Sequence, residues 1–480
     1  MMTYVHDAQQ LVRQLDNRMG PSPYDIAWMA RVREPGGGPR WPDLLDWLIE
    51  HQHPDGSWGG RIVYYHDRMV CTLAAAIALQ MHRDAQGAED AVARAESFLW
   101  HHLHLLPRDP FELVGFELVF PTLLDEARRL GLDVPSHACG YGRIQTEKLR
   151  LIPPEMLYSP RATTVHSLEF LGPAGDPEKM RKALAVNGSL GNSPAATAYY
   201  LSFRPDDADA VAYLEAVRQH MDHIIYLYPF RSFETAWVLN NLDFSGHPVR
   251  IFADDAVWGA LASSVGSDGV GLDSTFGIPD ADTTAVSLYL LLKAGVDVDE
   301  RILAQFENAE QRVFRTYHFE RNLSVSTNVH ALATLRLLPA YPHREEIRRQ
   351  IAAALLERRV YNVYWTDKWH ASPYYATSHA LSVLVDEGRY LAAACEQTVD
   401  WLIHTQHADG SWGFFQRGTA EETAYVLTAL LHVQPSLPVD VGVLQRGVAY
   451  LVQQCAVDQP RPDLWLGKDL YKPIDVVESA

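Results

Sequence analysis

A segment ending in DGSWG occurs twice in this chain of 480 residues, and it limits the possible folds more than any other feature. WLIEHQHPDGSWG occupies residues 47–59 and WLIHTQHADGSWG occupies residues 401–413. In each copy an apolar helical segment ends in an Asp-Gly turn, and a second apolar helical segment follows. Weaker copies begin near residues 187, 267 and 372. Repeated helix pairs joined by short Gly-containing turns are typical of α/α barrels and solenoids, so we predict an all-α protein with two related domains.

The composition is that of a globular protein, with 47% hydrophobic and 21% charged residues. The 41 Lys and Arg residues against 60 Asp and Glu residues give a net charge of −19, which disfavours nucleic-acid binding. The N-terminus lacks the apolar core of a signal peptide, and the most apolar stretches are shorter than the ~18 residues that span a bilayer. We therefore expect a soluble cytoplasmic protein without a transmembrane segment. The four cysteines are too scattered for a disulfide framework or a metal pair: Cys71, Cys139, Cys395 and Cys455.

The segment IPDADTTA at residues 278–285 opens a predicted helix and carries two carboxylates close together. Pro, Asp and Thr are common at helix starts, so one interpretation of Asp280 and Asp282 is helix capping alone. The other interpretation is chemical. In a dry cavity, burial and mutual repulsion would keep a proton on the pair, although the helix N-terminus acts in the opposite direction. A carboxylic acid held protonated in an apolar site is able to protonate an alkene.

DADTTA resembles the DxDD(T)A acid motif of class II terpene cyclases. Enzymes of this family protonate an isoprenoid double bond and cyclise the chain while its diphosphate stays attached. The resemblance covers nearly the whole chain, because further segments resemble those of copalyl diphosphate synthases in the same order. These are SPYDIAW at 22–28, the first DGSWG segment, GFELVFP at 115–121, KLRLIP at 148–153, VHSLE at 165–169, NGSLGNSPAATA at 187–198 and FETAW at 233–237. No segment fits the DDxxD motif of class I ionisation, so loss of diphosphate is not expected.

The resemblance implies a fold of two α/α barrels, called β and γ, with the γ domain inserted into the β domain and the active site between them. It places the β domain at residues 1–19 plus 229–480 and the γ domain at residues 20–228. It also implies that Asp282 is the proton donor and Asp280 its supporting partner. Thr283 stands where a third aspartate is usual.

The DxDTT variant resembles that of bacterial drimenyl diphosphate synthases, which act on the C15 substrate farnesyl diphosphate. We therefore predict a class II sesquiterpene cyclase, an isomerase that forms drimenyl diphosphate. The alternative within the family is a C20 enzyme that makes a copalyl-type diphosphate from geranylgeranyl diphosphate.

The resemblance implies residues for the rest of the site. Lys148 stands at the family's substrate-binding lysine, and Arg150 and Lys368 are further candidates for binding the diphosphate. The family binds Mg²⁺ through acids just before the GFE segment, so the candidate metal ligands are Asp109, Glu112 and Glu117.

His166 stands at the histidine of the His–Asn pair that acts as the base in plant copalyl diphosphate synthases. Tyr226 falls near the position of the asparagine, so the pair is broken and the base stays open. A buried histidine of the core is the other interpretation of His166.

Carbocations need aromatic faces and the exclusion of water. The pocket candidates are Trp258, Phe276, Tyr289, Trp365, Tyr374 and Trp412, followed by Trp369, Tyr375, Phe414 and Phe415. Core packing is the competing interpretation for most of them, since the tryptophan of a DGSWG turn packs against helix ends wherever it occurs.

The expected partners are a prenyl diphosphate substrate, a downstream phosphatase or other terpenoid enzymes, and no nucleic acid; a homodimer is compatible with the sequence. Three other functions fit parts of it. An α/α-barrel glycoside hydrolase would use Asp280 or Asp282 with a distant Glu. A protein prenyltransferase subunit would need Asp, Cys and His ligands for zinc. A non-catalytic helical scaffold would keep the barrels with an inactive site.

Overall fold

The computed structural model describes residues 2–136, 139–318, 320, 323–415, 417–455 and 461–480. These residues are mostly helical, as predicted for an all-α protein. Residues 2–220 contain the helices α1 (Met2–Arg13), α2 (Pro23–Ala30), α3 (Asp43–Glu50), α4 (Tyr65–Met81), α5 (Ala88–His102), α6 (Phe116–Arg129), α7 (Tyr141–Leu151), α8 (Pro177–Ala183), α9 (Pro194–Leu201) and α10 (Ala208–His220). Residues 231–480 contain α11 (Arg231–Asp243), α12 (Asp255–Ser263), α13 (Ala281–Lys293), α14 (Arg301–Ala304), α15 (Val325–Arg336), α16 (Arg344–Glu357), α17 (Pro373–Val385), α18 (Arg389–Ala394), α19 (Glu396–His404), α20 (Ala420–Val433), α21 (Val441–Cys455) and α22 (Ile474–Ser479).

Short elements complete the described part of the chain. Segments of 3₁₀-helix are Leu103–Arg108, Thr163–Ala174 and Val249–Phe252. The strands β1 (Glu307–Asn308) and β2 (Val313–Phe314) form one antiparallel hairpin, and β3 (Trp465–Leu466) and β4 (Leu470–Tyr471) form another. No helix of the described residues is long and apolar enough to cross a membrane.

Two kinds of helix alternate along the chain. Helices such as α4, α13, α17 and α20 are buried along nearly their whole length. Helices such as α3, α5 and α19 bury one face and expose the other. An inner layer of buried helices inside an outer layer of amphipathic ones is the arrangement expected for α/α barrels.

The helix contacts fall into two sets. One set consists of α2, α4, α6 and α9. In the other set each helix contacts the next, in the order α11, α13, α15, α17 and α20, and α1 and α22 contact α11. We call residues 20–228 the γ part and the remainder the β part. The domain boundaries themselves stay a prediction.

The first DGSWG turn is fixed by two hydrogen bonds of its tryptophan. Trp58 donates its indole N–H to the carbonyl of Leu48 at 2.7 Å, at the end of α3, and its backbone N–H to Thr72 Oγ1 of α4 at 3.0 Å. Trp412 makes the same two bonds, at 2.7 and 3.0 Å, to α19 and α20. The repeat is therefore a structural unit that joins an outer helix to the next inner helix.

The turn requires the glycine that is the second residue of DGSWG. Gly56 and Gly410 have φ values of +90° and +89°, a region that side chains disfavour. A Cβ at these positions would also lie 2.5 Å from the carbonyl oxygen of Arg94 and 2.4 Å from that of Arg446. The turn thus packs against the backbone of the next outer helix.

The unit also occurs at places that lack the DGSWG sequence. Trp365 bonds to Leu355 O at 2.7 Å and to Thr377 Oγ1 at 2.9 Å. At the start of α13, the backbone N–H of Val270 donates to Thr284 Oγ1 at 2.9 Å. Thr284, the second threonine of DADTT, therefore has the same role as the threonines Thr72, Thr377 and Thr423 of the other units. The acid motif thus lies at the start of an inner helix of the repeat.

The β3–β4 hairpin connects the β part to the γ part. Trp465 lies among the rings of the β part, and its indole N–H donates to Glu421 at 3.0 Å. Lys468, in the turn of the hairpin, is buried in the γ part and donates to Glu169 at 2.8 Å and to Ser193 at 2.6 Å. Asp469 accepts a hydrogen bond from Ser22 at 2.7 Å.

Candidate active site

Asp280 is the N-cap of α13. Its side chain accepts two hydrogen bonds from Thr283, from the backbone N–H at 2.7 Å and from the hydroxyl at 2.9 Å. A carboxylate in this position satisfies a free amide of the first helical turn. The capping interpretation is therefore correct for Asp280, and Thr283 assists the cap.

Asp282 is the second residue of α13, and two side chains of α15 hold its carboxyl group. His330 Nδ1 lies 2.5 Å from Oδ1, and Ser326 Oγ lies 3.1 Å from Oδ2. The Asp282 side chain is 9% exposed. The capping interpretation does not describe Asp282, because its oxygens bond to another helix.

Asp367 lies on the other side of Ser326. Ser326 Oγ is 2.5 Å from Asp367 Oδ2, and the same carboxylate accepts the backbone N–H of Val325 at 3.1 Å. A hydroxyl carries one proton. When Ser326 donates that proton to Asp367, its oxygen is free to accept the proton of a neutral Asp282.

Asp282 favours the neutral state of two buried carboxyl groups near it, those of Asp280 and Asp367. Burial raises the pKa of Asp280 to about 7, and the charge of Asp282 adds to this effect. Burial also raises the pKa of Asp367, again with a contribution from Asp282. Near neutral pH Asp280 is therefore close to its own pKa and is not fully ionised.

A second histidine, His379, contacts the ring nitrogen of His330 that does not face Asp282. His330 Nε2 lies 3.1 Å from Nδ1 of His379 in α17. Burial lowers the pKa of His379 well below its usual range, so its ring is neutral. With the Nδ1–H of His330 donating to Asp282, the Nε2 of His330 is the acceptor for the N–H of His379.

Aromatic rings surround the acid. Trp237 packs edge-on against His330 at 5.8 Å and donates its indole N–H to the Tyr375 hydroxyl at 3.2 Å. Burial, with a contribution from the charge of Asp282, raises the pKa of both Tyr317 and Tyr375 well above the usual range. Tyr375 was among the predicted pocket residues, and Trp237 belongs to the FETAW segment that resembles the family. Tyr317 was not predicted to lie near the acid.

His166 forms a pair with Tyr226. Its Nδ1 is 2.8 Å from the carbonyl of Gly191, and its Nε2 is 2.9 Å from the Tyr226 hydroxyl. A carbonyl only accepts, so Nδ1 carries the proton and Nε2 accepts from Tyr226. Burial lowers the pKa of His166 to about 3, which keeps the ring neutral. The histidine is thus both a satisfied core residue and one half of a His–Tyr pair.

A run of rings joins the acid to this pair. Neighbouring ring centroids are 4.4–6.2 Å apart from His330 to His166. We call the intervening rings the aromatic wall: Trp237, Phe233, Trp465, Tyr471 and Tyr226. Trp465 and Tyr471 belong to the β3–β4 hairpin, so the hairpin contributes to the wall as well as connecting the two parts.

Three of the six principal pocket candidates form hydrogen bonds at helix ends, away from Asp282. Trp365 and Trp412 are fully buried and bonded to helix ends, as described above, so the structure gives them a packing role. Tyr289 donates to Asp243 at 2.9 Å near the end of α13, away from the acid at the start of this helix.

The other three candidates are packed against protein side chains. Trp258 is buried, and Tyr374 stacks on Trp401 at 5.1 Å. Phe276 meets His166 edge-on at 6.2 Å, and it is the candidate that the structure brings to another predicted site residue. Its place in the pocket stays a prediction.

The predicted diphosphate residues lie in two places. Lys148 is half exposed on α7 and forms an ion pair with Glu117 of α6. Arg150 is exposed two residues further along α7.

Lys368, the third predicted diphosphate residue, lies in the β part and is paired with Glu320. Burial lowers the pKa of Lys368 to about 7, and the nearby charge of Asp282 opposes that shift. Lys368 is thus on the side of the acid, and its binding of diphosphate stays a prediction.

The predicted metal ligands are each engaged by the protein. Asp109 is paired with His66 at 2.8 Å, and Glu112 accepts the hydroxyl of Tyr141 at 2.9 Å. Glu117 is the partner of Lys148 noted above. Among the described residues, no group of three or more His, Cys, Asp or Glu side chains is arranged to hold a metal ion. These acids therefore do not form a preformed cage.

Sequence reasoning missed four polar residues around the acid: Ser326, His330, Asp367 and His379. One signal was available, since Ser324 and Ser326 have the same spacing at the start of α15 as Asp280 and Asp282 have at the start of α13. The histidines gave no signal, because each is a single His within an apolar helical segment.

No protein-family model matches the chain. The chain is 33% identical over 497 residues to the type B diterpene cyclase of Mycobacterium tuberculosis, an alignment that covers 97% of this chain and 95% of that protein. It is 32% identical over 455 residues to the ent-copalyl diphosphate synthase of a Streptomyces strain, KO-3988, covering 91% of this chain and 86% of the synthase. The structure is similar to that of the ent-copalyl diphosphate synthase from Streptomyces platensis. That comparison has a TM-score of 0.80 at 28% identity and covers 99% of this chain and 97% of the other.

These comparisons correct the predicted substrate. The similar proteins bear the names of a diterpene cyclase and of copalyl diphosphate synthases. The prediction of a sesquiterpene cyclase forming drimenyl diphosphate from farnesyl diphosphate is therefore wrong. Its basis was Thr283, and the structure shows that Thr283 bonds to Asp280. This residue reports the surroundings of the acid and carries no information on the length of the pocket.

Proposed function

The chain belongs to the family of class II terpene cyclases, and on that premise we propose that it is a diterpene cyclase acting on geranylgeranyl diphosphate. The product is a copalyl-type diphosphate in which the diphosphate remains attached. The observation that carries this proposal is the carboxyl group of Asp282, buried among aromatic rings and held between His330 and Ser326.

Asp282 acts as the acid through the arrangement of its two oxygens. His330 donates to Oδ1 and stabilises the carboxylate that forms when the proton leaves. The acidic proton is on Oδ2, where the contact with Ser326 is the longer one, 3.1 Å against 2.5 Å. Neighbouring neutral carboxyl groups make proton release easier than charged ones would. The proton goes to the terminal alkene, and the resulting cation closes two rings.

The aromatic wall supports the cation. Its ring faces offer π-electron density without a nucleophilic lone pair that would trap a carbocation. The wall extends from Asp282 to the His166–Tyr226 pair. It therefore lines the distance between the residue that protonates the substrate and the base that removes the final proton.

We place the final deprotonation at Tyr226. Its oxygen takes a proton from the cyclised cation while its own hydroxyl proton passes to Nε2 of His166, 2.9 Å away. The neutral ring of His166, with its proton on Nδ1, is in the form that accepts. This pair replaces the His–Asn pair of plant copalyl diphosphate synthases.

The diphosphate end lies at Lys148 and the acids near it. Mg²⁺ is commonly held by one or two carboxylates together with substrate phosphates, so the absence of a cage among the described residues is compatible with an ion that arrives with the substrate. Glu112 and Glu117 would hold it, and bound Mg²⁺ would neutralise diphosphate charge. Lys148 then exchanges its partner Glu117 for a phosphate oxygen.

The test is an incubation with C10, C15 and C20 prenyl diphosphates and Mg²⁺, followed by phosphatase treatment and identification of the alcohols by mass spectrometry and NMR. The expected product is a bicyclic C20 alcohol. Asp282→Asn should reduce its formation by about 10²–10⁴-fold. Cyclisation retained in Asp282→Asn would contradict the mechanism, and a preference for a shorter substrate would contradict the substrate class.

A further inference from the structure

The SPYDIAW segment at residues 22–28 has no part in the mechanism above, yet two of its side chains are buried beside the β3–β4 hairpin. Ser22 is the N-cap of α2, and its oxygen accepts the backbone N–H of Asp25 at 3.0 Å. The same oxygen lies 2.8 Å from Oδ2 of Asp25 and 2.7 Å from Oδ2 of Asp469, in the turn of the hairpin. One hydroxyl group thus lies between two buried carboxyl groups, one from each part of the molecule. We call these three residues the carboxyl bridge.

The carboxyl bridge needs a proton besides that of the serine. The hydroxyl of Ser22 has one proton and donates it to one carboxylate. The other contact is a hydrogen bond only when the second carboxyl group donates a proton to the serine oxygen. Asp25 also accepts the backbone N–H of Ala195 at 2.7 Å, whereas Oδ1 of Asp469 is buried with no hydrogen-bond partner among the described residues. The negative charge therefore belongs on Asp25 and the proton on Asp469.

The groups around the bridge favour the same state. Burial, with contributions from the charges of Asp25 and Asp67, raises the pKa of Asp469 well above its usual range. Burial also raises the pKa of Asp25 to about 7, and the charge of Lys468 opposes that shift. The other titratable groups that face the two carboxyl groups or Asp67 are Glu169, Arg68, Tyr24, Cys71, Tyr213 and Tyr226. Asp469 therefore keeps its proton near neutral pH and loses it at higher pH.

The turn of the hairpin also contacts both members of the His166–Tyr226 pair. Nζ of Lys468 donates to the backbone carbonyl of His166 at 2.9 Å. Gly467 lies against the ring of Tyr226, where a Cβ would be 2.6 Å from Cζ. Beyond the turn, Tyr471 stacks on the same ring at 4.9 Å. The position of the turn therefore sets the position of the proposed base.

We propose that the carboxyl bridge positions Tyr226 for the final deprotonation, because the proton on Asp469 holds the hairpin turn in place. Its three members act through the turn and are positioning residues. This inference rests on the proposed function, since Tyr226 is the base of that reaction. When the proton is lost, two carboxylates face one hydroxyl, which donates to only one of them. The two charges repel each other, and Asp469 moves away together with the turn that contacts Tyr226.

The test is the ratio of products at different pH values, with geranylgeranyl diphosphate as the substrate. Cations that lose a proton to Tyr226 give one bicyclic diphosphate, whereas cations that miss the base give other alkenes or capture water. The ratio is counted per cation formed, so it does not depend on how fast Asp282 protonates the substrate. In the wild type, the fraction of other products should rise about threefold or more from about pH 6 to about pH 9, because proton transfer depends steeply on the position of the base.

Asp469→Asn keeps the shape of the side chain and has no carboxyl proton to lose. Its fraction of other products should stay at the low-pH value of the wild type throughout this range. Asp25→Asn removes the other carboxyl group of the bridge and should give the same result. Asp463→Asn is the matched control, because burial also raises the pKa of Asp463, just before β3, but this residue faces Lys472 and Arg61. It should keep the pH dependence of the wild type.

Hydrogen exchange measured by mass spectrometry follows the hairpin without substrate. Peptides from residues 463–472 should exchange faster in the wild type than in Asp469→Asn at about pH 9, and alike at about pH 6. Equal exchange at both pH values would overturn the inference. A pH dependence of the products that is absent in the wild type, persists in both bridge variants or vanishes in Asp463→Asn would overturn it as well, while the proposed function stands. A wild-type protein that cyclises no prenyl diphosphate would refute the proposed function and the positioning role together.

Discussion

Asp280 and Asp282 are separated by one residue and differ in role. Asp280 bonds within its own helix and caps it, whereas Asp282 bonds across to α15. Helical geometry accounts for the difference, because the N-cap side chain turns back to the first turn, while the second helical residue faces the neighbouring inner helix. Two acids of one motif thus lie in different surroundings.

The charge state of Asp280 should control the acid strength of Asp282. Burial raises the pKa of Asp280 to about 7, and once it ionises its negative charge opposes proton release by Asp282. The wild-type rate should therefore fall as the pH rises through about 7. In Asp280→Asn the cap is kept and this charge cannot form, so the decline near pH 7 should disappear. The measurement is kcat against pH for both proteins. Activity lost as completely as in Asp282→Asn, or an unchanged decline, would contradict this role.

Tyr226→Phe should alter the products more than the rate of substrate consumption. The ring and its stacking on Tyr471 at 4.9 Å remain, but the hydroxyl that contacts His166 is removed. Protonation by Asp282 still occurs, and the cation then loses its proton elsewhere or is captured by water. Product analysis by gas chromatography checks this.

Tyr471→Phe is the matched control for that variant, because it removes a hydroxyl from the neighbouring ring of the aromatic wall. It should keep the wild-type product ratio. An unchanged ratio in Tyr226→Phe would rule out Tyr226 as the base.

The sequence allowed the acid to be predicted and left its surroundings unknown, for a physical reason. The motif residues are contiguous, so they are visible as a pattern. Ser326 and His330 lie 44 and 48 residues from Asp282 along the chain, and they meet it only because α13 and α15 pack side by side. Contacts made by packing leave no local pattern in a single sequence.

At the scale of secondary-structure elements, the repeat was predictable where the turn sequence is intact. The Asp-Gly-Ser-Trp turn identifies the units at Trp58 and Trp412. The unit at Trp365 keeps the same two hydrogen bonds to Leu355 and Thr377 without that turn sequence. The interactions that define the unit come from one indole and one threonine, and neither is distinctive by itself.

The β3–β4 hairpin depends on its buried lysine. Lys468→Met leaves Glu169 buried without a cation, which is expected to lower the free energy of unfolding by about 3–5 kcal/mol. The control Lys179→Met breaks an exposed pair with Asp176 and should cost less than about 1 kcal/mol. Thermal and denaturant unfolding provide the measurement.

Combining Lys468→Met with Glu169→Gln should recover much of that loss, because the buried charge is then removed as well. If Lys468→Met were no more destabilising than Lys179→Met, the hairpin would not depend on this ion pair.

At the scale of the whole molecule, buried acids should set the pH dependence of stability. Burial raises the pKa of Asp25 to about 7, of Asp67 to about 6 and of Glu234 to about 8. Each folded-state value lies above the unfolded one, so the stabilisation is complete at low pH and is lost as the pH rises through the folded-state pKa. The contribution of these carboxyl groups to the free energy of unfolding should therefore fall as the pH rises from about 4, near their unfolded pKa, to about 8.

Denaturant titrations at several pH values measure this slope. Asp25→Asn should flatten it, whereas Asp299→Asn should not, because hydrogen bonding to Arg301 lowers the pKa of Asp299 to about 2, outside the window. Stability that increases from pH 6 to pH 8 would contradict the expectation.

The net charge of −19 gave little guidance on the substrate. The described structure separates a region of buried acids from Lys148 and Arg150 on α7, so the charge that the substrate would meet is local. A net charge averages over such local differences, so the composition disfavoured nucleic-acid binding but did not indicate a diphosphate substrate.

The hairpin also has a consequence for the order in which the protein is completed on the ribosome. Glu169 and Lys468 are 299 residues apart along the chain, and the glutamate is synthesised first. Until the lysine emerges, the γ part holds buried acids whose cation does not yet exist. The interior of the γ part is therefore completed in two stages during translation. The contact between the γ part and the β part forms only after most of the β part has been synthesised.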